Sequence, residues 1–214
     1  MKKVGRLARD PEKEKRIIDE SMAEFAAHGY HQTRIEDIAE KAAVSKGLVF
    51  KYYQSKAHLY FVVLKEAAAR VMAVADLHVW QDSEDLVAMV VNATQYKIKL
   101  QLTYQVEFKV LLDAYVRIKQ LPEEAREFMQ KGLMNNLDLR NQLSMPVLDR
   151  LKLKPGVRKE DVYEMLTMLE DSYATKIQQY LLAHPKMDRV EEMDELIETL
   201  ARYLRIFEHG FMAE

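Results

Sequence analysis

Turn-forming residues are sparse in this chain, which has 6 Gly and 5 Pro among 214 residues. A fold built from many short strands needs a turn every few residues, so this scarcity favours long helices with short connections. Apolar residues recur at helical spacing along most of the chain, which predicts an all-α protein. After the first 55 residues we expect helices at about 56–78, 83–99, 101–119, 122–144, 158–183 and 188–210.

The first 60 residues contain start and stop signals for four helices in close succession. Gly29 follows an apolar helical stripe, at the usual place for a left-handed residue that ends a helix. Thr33 with Glu36 three residues later predicts a capping box at the start of a second helix. Ser45 and Ser55 are the expected caps of a third and a fourth helix. Two short helices joined by a tight turn predict a helix-turn-helix unit.

Charge is distributed unevenly along the chain, although the formal net charge is only −2. Residues 1–60 contain 12 Lys and Arg against 9 Asp and Glu, a net of +3, which leaves 20 against 25, a net of −5, for the rest. A basic N-terminal segment followed by an acidic remainder indicates that residues 1–60 bind nucleic acid. It disfavours nucleic-acid binding by the whole surface.

Several classes of protein are disfavoured by what the sequence lacks. The chain has no cysteine, which excludes disulfides, and its charged start has no apolar segment typical of a secretory signal. No uncharged run approaches the roughly 20 residues that a membrane span needs. We therefore expect a cytoplasmic protein that does not enter a membrane.

The third predicted helix separates into two sides when its residues are placed at about 100° steps. Val49 and Tyr53 share the side that we expect to pack on the preceding helices. Lysine and apolar groups together suit a DNA major groove, because lysine contacts guanine or phosphate and apolar groups contact thymine methyls. The alternative is that Leu48 and Phe50 pack on the rest of the protein and the lysines are solvated. The residues of the outer side and its flanks are Lys46, Gly47, Leu48, Phe50, Lys51 and Tyr52.

The segment TRIEDIAEKAAVSKGLVFKYYQSKAHLY, residues 33–60, resembles the signature of the TetR (tetracycline-repressor-like) family of bacterial transcription regulators. The resemblance covers about residues 11–64, including Phe25 and the Gly29-Tyr30 pair upstream. It is specific because many positions must agree at fixed spacing. The matching positions of the segment are Thr33, Asp37, Ile38, Ala39, Ala42, Val44, Ser45, Lys46, Gly47, Phe50, Tyr52, Tyr53, Ser55 and Lys56.

The resemblance implies how the helix-turn-helix unit contacts DNA. Lys46, with Gly47, Leu48 and Phe50, would lie against bases, and Thr33, Tyr52 and Lys56 would contact phosphates. Three positions depart from the family pattern: Leu48 replaces a common threonine, Phe50 a frequent tyrosine and Ala43 a common glycine. The candidate DNA-binding residues are Thr33, Ser45, Lys46, Gly47, Leu48, Phe50, Lys51, Tyr52 and Lys56.

The family resemblance also implies an organisation and a function for the whole chain. Residues 1–55 would form the helix-turn-helix domain, and residues 56–214 a helical domain that binds an effector and dimerises. The protein would be a ligand-responsive repressor. It would bind a palindromic operator in double-stranded DNA as a homodimer, and a small, largely apolar effector would release it.

The last two predicted helices have apolar arcs wider than a single core contact requires. The excess predicts a second partner, and a two-fold pairing with another copy would bury it as a four-helix interface. A thick core within one chain is the alternative. The candidate interface residues are Met165, Leu169, Tyr173, Ile177, Leu196, Leu200, Tyr203 and Phe207.

Aromatic residues and methionines recur at helical spacing in the middle of the chain. Such stripes are more often core, but the resemblance implies an effector cavity among them. Few charges fall on these faces, so we expect a largely apolar effector. The candidate pocket residues are Met89, Tyr96, Tyr104, Phe108, Leu111, Tyr115, Phe128 and Met134.

An enzyme and a ligand carrier are the rival classes. The 6 histidines show no metal-binding spacing, and the sequence has neither a glycine-rich phosphate loop nor a nucleophile elbow. We therefore expect no catalytic residues, no metal and no cofactor. A ligand carrier or protein-interaction module that has lost DNA binding stays open because Leu48 and Phe50 depart from the family pattern.

Overall fold

The computed structural model describes residues 9–76, 78–81, 83, 85–184 and 190–210. Within these residues the chain forms α-helices and two short 3-10 helices, Ile118–Gln120 and Val190–Met193, and no β-strand. The all-α prediction is confirmed. The α-helices are α1 (Pro11–Gln32), α2 (Ile35–Lys41), α3 (Lys46–Tyr53), α4 (Lys56–Val74), α5 (His78–Gln81), α6 (Leu86–Thr103), α7 (Gln105–Val116), α8 (Glu123–Arg150), α9 (Lys159–Ala183) and α10 (Asp194–His209).

The described residues divide into two compact units. The first unit contains those of 9–74 and 104–134, and the second contains those of 75–103 and 135–210. The units do not follow the boundary expected after residue 55, because Leu59, Tyr60 and Val63 of α4 are buried in the same core as the N-terminal helices. The division of functions between 1–55 and 56–214 stays a prediction.

The junction between α1 and α2 follows the sequence in part. Gly29 has the predicted positive φ, 69°, and the chain resumes a last helical turn to Gln32. The predicted capping box is wrong, since α2 has Arg34 at its N-cap position without a side-chain cap. The Thr33 hydroxyl instead donates to the carbonyls of Gly29 and Glu24, at 2.8 and 3.1 Å. Thr33 therefore closes α1.

Serine caps start the next two helices, as the sequence predicts. The Ser45 hydroxyl oxygen accepts a hydrogen bond from the Leu48 N–H at 3.2 Å, and that of Ser55 accepts one from the His58 N–H at 3.1 Å. Each bond satisfies a donor that the first helical turn leaves unpaired. The position of α3 in the chain is therefore encoded locally.

Helix α8 continues through Pro146 to Arg150, beyond the predicted end of this helix at about 144. An interior proline costs about 3 kcal/mol because it removes a backbone donor and crowds the preceding turn. Val147 and Leu148 are both buried, and burying such side chains contributes about 1.5–3 kcal/mol each. Packing of the last turn thus offsets the proline.

The break between α6 and α7 lies at Tyr104, about four residues later than predicted. Tyr104 leaves the helical region, with φ −112° and ψ 50°. Helix α9 begins and ends within a residue of its expected bounds, and α10 follows a 3-10 turn at the predicted start of the last helix. No helix within the described residues is long and apolar enough to cross a membrane.

Each unit has its own apolar core. In the first unit Phe25, Ile38 and Val49 are buried with Tyr60 and with Val110 of α7. In the second unit two clusters unite α6, α9 and α10. Their buried members are Leu86, Met89, Val90, Ile98, Val147, Leu148, Leu166, Tyr173, Ile177, Met193, Ile197, Leu200 and Leu204.

Candidate functional site

The inner side of α3 is packed as the sequence predicts. Val49 and Tyr53 are buried in the first unit together with Phe25 and Ile38. Tyr52, which the helical wheel placed on a flank, is also buried and belongs to the same core. The orientation of α3 is therefore determined by three core side chains.

The opposite side of α3 is open. Lys46, Gly47, Phe50 and Lys51 are exposed, and Phe50 keeps 38% of its surface accessible. A methyl group added at Gly47 would meet only the Ser45 hydroxyl oxygen, at 3.9 Å, so another molecule can approach this backbone closely. Leu48 differs from the expectation, because it is half-buried against the core of the first unit.

Lys46 is held in place on this open side. Its ammonium nitrogen lies 2.6 Å from a carboxylate oxygen of Glu36, and 5.8 Å from the centre of the Phe50 ring. The hydrogen bond from Lys46 lowers the pKa of Glu36. Glu36 is thus an anion at the edge of the surface formed by the exposed residues of α3.

Tyr52 is anchored at both its ring and its backbone. Its hydroxyl oxygen accepts the N–H of Asp10 at 3.0 Å, so its hydrogen remains available for an acceptor outside the protein. The Arg9 guanidinium donates to the Tyr52 carbonyl and lies 5.5 and 5.2 Å from the Tyr52 and Tyr53 rings. Sequence reasoning missed Arg9, whose only signal is its place in the basic segment before α1.

Lys56 stands at the first residue of α4. Its ammonium donates to the His31 carbonyl at 3.1 Å and lies 4.8 Å from the centre of the Tyr30 ring. Partial burial lowers the pKa of Lys56. The arrangement holds a cation beside the C-terminal end of α1.

Thr33 and Ser45 use their side chains within the protein. Thr33 is 3% exposed and its hydroxyl hydrogen is shared between two carbonyls of α1, so a contact with DNA would have to displace those bonds. Ser45 is exposed, and its hydroxyl oxygen caps α3. This hydroxyl donates no hydrogen bond within the described residues. The DNA roles of both residues stay predictions.

The second unit contains a partly open cavity of about 80 Å³ between α6 and α9, with Leu200 of α10 in its wall. Tyr173 and Gln101 are among its lining residues, and the Tyr173 hydroxyl and the Gln101 side-chain carbonyl oxygen are buried without a hydrogen-bond partner within the described residues. Burial raises the pKa of Tyr173, so its hydroxyl keeps its hydrogen. The lining side chains are Val90, Ala93, Thr94, Lys97, Ile98, Gln101, Glu170, Tyr173, Ala174, Ile177, Gln178 and Leu200.

The predicted pocket residues are separate from this cavity. In the second unit, Met89 is fully buried in the core, and the Tyr96 hydroxyl accepts the Asp76 N–H at 2.7 Å. In the first unit, Leu111 and Phe128 pack against the core and Tyr115 is exposed. Tyr104 and Phe108 are half-buried at the start of α7, and the Met134 side chain lies outside the described residues. Their ligand role stays a prediction.

The predicted dimer residues divide into two groups. Tyr173, Ile177 and Leu200 are buried in the second unit, and Leu169, Leu196 and Phe207 are half-buried against its core. Only Met165 and Tyr203 are well exposed, at 55% and 42%. The sequence missed two exposed residues beside them. These four residues, Met165, Met168, Tyr203 and Ile206, are called the α9–α10 apolar surface below.

These features define a helix-turn-helix protein with a second helical unit. Residues 17–63 match the family model described as bacterial regulatory proteins, tetR family. They lie within the segment, 11–64, from which the sequence resemblance was drawn. The N-terminal helix-turn-helix segment of this chain is therefore that of the TetR family of bacterial regulatory proteins.

Curated relatives match the same N-terminal part of the chain. The HTH-type transcriptional repressor SCO4008 of Streptomyces coelicolor is 45% identical over 60 residues, which is 28% of this chain and 31% of that protein. The HTH-type transcriptional regulator RutR of Escherichia coli is 43% identical over 54 residues, which is 25% and 26% of the two chains. The matches thus cover less than a third of either relative.

Solved structures match along nearly the whole length. A TetR-family regulator from Mesorhizobium loti aligns with a TM-score of 0.68 at 18% identity, over 94% of this chain and 96% of its own. The regulator FadR from Bacillus subtilis, solved in complex with stearoyl-CoA, aligns at 0.61 and 16%, over 93% and 100%. At these identities the likeness shows a shared fold.

Proposed function

We propose that this protein regulates transcription in the cytoplasm as a ligand-responsive repressor, by binding an operator in double-stranded DNA. The observation that carries the proposal is the open side of α3. It presents Lys46, Phe50 and Lys51 beside an accessible Gly47 backbone, on a helix oriented by its buried opposite side. Cations and apolar groups on a short helix match the mixed contacts that a major groove offers.

Phosphate contacts would fix the helix on the duplex. Tyr52 offers a hydroxyl hydrogen and Lys56 an ammonium, and both are held by bonds within the first unit. Contacts to phosphate position a protein without reading sequence, whereas Lys46, Phe50 and the Gly47 backbone would face the bases. Leu48 is proposed to contribute less than the sequence predicts, because it is partly buried against the core of the first unit.

The operator is proposed to be palindromic and the protein a homodimer. One short helix reads few base pairs, whereas two helices roughly 34 Å apart read successive turns of the duplex. The α9–α10 apolar surface supports self-association, because its exposed apolar side chains would leave water if a second copy packed the same residues against them across a two-fold axis.

The effector is proposed to be small and largely apolar. Half of the side chains lining the cavity of the second unit are apolar. Binding releases the operator only if the effector prefers the conformation that binds DNA poorly. The Bacillus subtilis regulator FadR has a similar fold and was solved in complex with stearoyl-CoA, which supports the proposal that this protein also binds a ligand.

The test is fluorescence anisotropy of the full chain with labelled DNA flanking its own gene, across a salt series. Tyr52→Phe and Tyr53→Phe form a matched pair, because the Tyr52 hydroxyl is the proposed phosphate donor, whereas the buried Tyr53 hydroxyl has no partner within the described residues. We expect Tyr52→Phe to weaken binding about tenfold and Tyr53→Phe to leave it unchanged.

Binding should weaken steeply with salt, because each lysine or arginine that contacts a phosphate releases counterions. Saturable binding with this mutant pattern would support the regulator. The proposal is wrong if neither the flanking DNA nor a random duplex pool binds. A helical ligand carrier would then be the better description.

A further inference from the structure

Helix α3, which is proposed to read DNA, ends in carbonyl groups that need partners from beyond the helix. The last four carbonyls of an α-helix have no hydrogen-bond donor within it. At the end of α3 the Phe50 carbonyl accepts the Gln54 N–H at 2.7 Å, and the Tyr53 carbonyl accepts the Ser55 N–H at 2.6 Å. The turn after α3 thus satisfies two of these carbonyls.

The carbonyl of Tyr52 is satisfied by a residue that is distant in the sequence. It accepts a hydrogen bond from the guanidinium of Arg9, 43 positions earlier in the chain. A hydrogen bond from a charged donor is stronger than one from a neutral donor, and the helix dipole favours a cation at this end of a helix. Arg9 therefore closes the C-terminal end of α3 from the segment that precedes α1.

The Arg9 side chain is held in this position by further contacts. Its Nη1 atom lies 2.6 Å from a carboxylate oxygen of Glu14, in the first turn of α1. Its guanidinium carbon lies 5.5 and 5.2 Å from the centres of the Tyr52 and Tyr53 rings. A guanidinium donates in a planar fork and stacks on aromatic rings, which a lysine ammonium does not reproduce. The position therefore requires arginine.

The next residue contacts the same tyrosine. The Asp10 N–H donates to the Tyr52 hydroxyl at 3.0 Å, and the Asp10 carboxylate caps α1. Tyr52 is thus held at its backbone by Arg9 and at its ring by Asp10. The buried inner side of α3 determines which side is open, and these two bonds fix its last turn against the start of α1.

The length of α3 makes a fixed end important. The helix has 8 residues, and a helix this short is unstable without contacts to other parts of the protein. Base edges are read only by groups that lie at hydrogen-bond or van der Waals distance, whereas contacts to phosphates carry no sequence information. Loss of the closing bond should therefore impair the reading of sequence more than the attraction to the DNA backbone.

We propose that Arg9 is a positioning residue for sequence reading. By closing the C-terminal end of α3, it holds the last turn, with the exposed Phe50 ring, in register with the bases of the operator. Arg9 acts through α3 and does not itself contact the DNA. The inference rests on the proposed DNA-binding function, and it adds a residue that lies outside the helix-turn-helix segment.

The experiment compares anisotropy titrations of the full chain with two labelled duplexes, the DNA flanking its own gene and a random duplex of the same length. Arg9→Met removes the guanidinium, and Arg9→Lys keeps the charge without the fork. Lys15→Met is the matched control, because it removes an exposed cation of α1 that pairs with Asp19 of the same helix at 2.8 Å. Titrations are made well below the thermal unfolding midpoint of each variant, so that every variant is folded.

We expect Arg9→Met to weaken binding to the flanking DNA at least about tenfold and binding to the random duplex less than about threefold. Arg9→Lys should lower the ratio of the two affinities about threefold, although the net charge is unchanged. The slope of log affinity against log salt should stay the same in Arg9→Lys. Lys15→Met should leave the ratio unchanged.

Two outcomes of these titrations would overturn the positioning role. An equal loss of affinity for both duplexes in Arg9→Met, with a salt slope smaller by about one, would make Arg9 a phosphate contact. An unchanged affinity ratio in Arg9→Met would leave Arg9 with a role in folding alone.

Hydrogen exchange of the free protein measures the closing bond without DNA. Arg9→Met should exchange the amides of the last turn of α3 and of Gln54 at least about fivefold faster, and Lys15→Met should not. Unchanged exchange in Arg9→Met would contradict the proposal. If the original protein does not prefer the flanking DNA, the proposed function fails and the reading role of Arg9 fails with it. If it does prefer that DNA and the variants keep the preference, the positioning role alone fails.

Discussion

The ammonium nitrogen of Lys46 lies 2.6 Å from a carboxylate oxygen of Glu36, which joins the first turn of α3 to the first turn of α2. Both side chains are about half exposed, so the pair adds little to folding stability. The pair matters because it lies on the surface proposed to face DNA. There the Glu36 carboxylate would repel phosphates, and it holds the Lys46 ammonium in an ion pair.

Replacing Glu36 by glutamine should strengthen DNA binding about threefold to tenfold, because it removes an anion from this surface and frees Lys46. Anisotropy titrations at two salt concentrations measure the change. Glu40→Gln, at the exposed far end of α2, is the control with the same charge change. Equal effects of the two substitutions would show that only net charge matters.

Replacing Lys56 by methionine should separate DNA binding from folding. Burial of the ammonium, which lowers its pKa, opposes the loss of its bond to the His31 carbonyl, so the free energy of unfolding should change by less than about 1 kcal/mol. DNA affinity should fall about tenfold, and the slope of log affinity against log salt should decrease by about one. An unchanged slope in the variant would exclude a phosphate contact by Lys56.

The helix-turn-helix unit was predictable because its signals are local. Ser45 and Ser55 cap the helices that they precede, Gly29 takes the expected positive φ, and Val49 and Tyr53 face inward at helical spacing. The errors arise where contacts between helices determine which hydrogen bonds a side chain makes. Thr33 is drawn back to the carbonyls of α1 and so does not cap α2.

The second unit was less predictable, because an apolar stripe does not reveal its partner. Tyr173 and Ile177 share their stripe with Met165, yet the first two are buried within the unit and Met165 is exposed. The helix that was expected to end at about 144 continues through Pro146, because Val147 and Leu148 in its last turn are buried. The Gln101 oxygen and the Tyr173 hydroxyl, which have no partner among the residues that the structure describes, give no signal in the sequence, since their burial depends on which helices meet.

The turn between α2 and α3 contains a removable strain. Ala43 has a φ of 53°, in the left-handed region that disfavours any residue with a side chain. Its N–H donates to the Glu40 carbonyl at 3.0 Å. Ala43→Gly should raise the free energy of unfolding by about 1 kcal/mol. Denaturant unfolding measures this. The control Ala69→Gly, on an exposed position inside α4, should lower it by about 1 kcal/mol.

Gly29 is required at the kink before the last turn of α1 for two reasons. Its φ is 69°, and a methyl group there would lie 3.3 Å from a carboxylate oxygen of Asp113, on α7 of the same unit. Gly29→Ala should therefore lower the free energy of unfolding by about 1–2 kcal/mol. Gly132→Ala, in α8 with open space around it, should not destabilise. Equal unfolding curves for both variants would contradict the assignment.

The α9–α10 apolar surface should be the dimer contact. Met168 and Ile206 are 59% and 49% exposed, and a carboxylate buried at each position would have to lose its hydration. The double variant Met168→Glu and Ile206→Glu should weaken dimerisation at least about hundredfold, as measured by sedimentation over a concentration series. Operator affinity should fall with it, because a single α3 reads only half of a palindrome. Val157→Glu, which adds the same charge to an exposed valine between α8 and α9, should sediment like the original protein. If the double variant remained dimeric, this surface would serve another purpose.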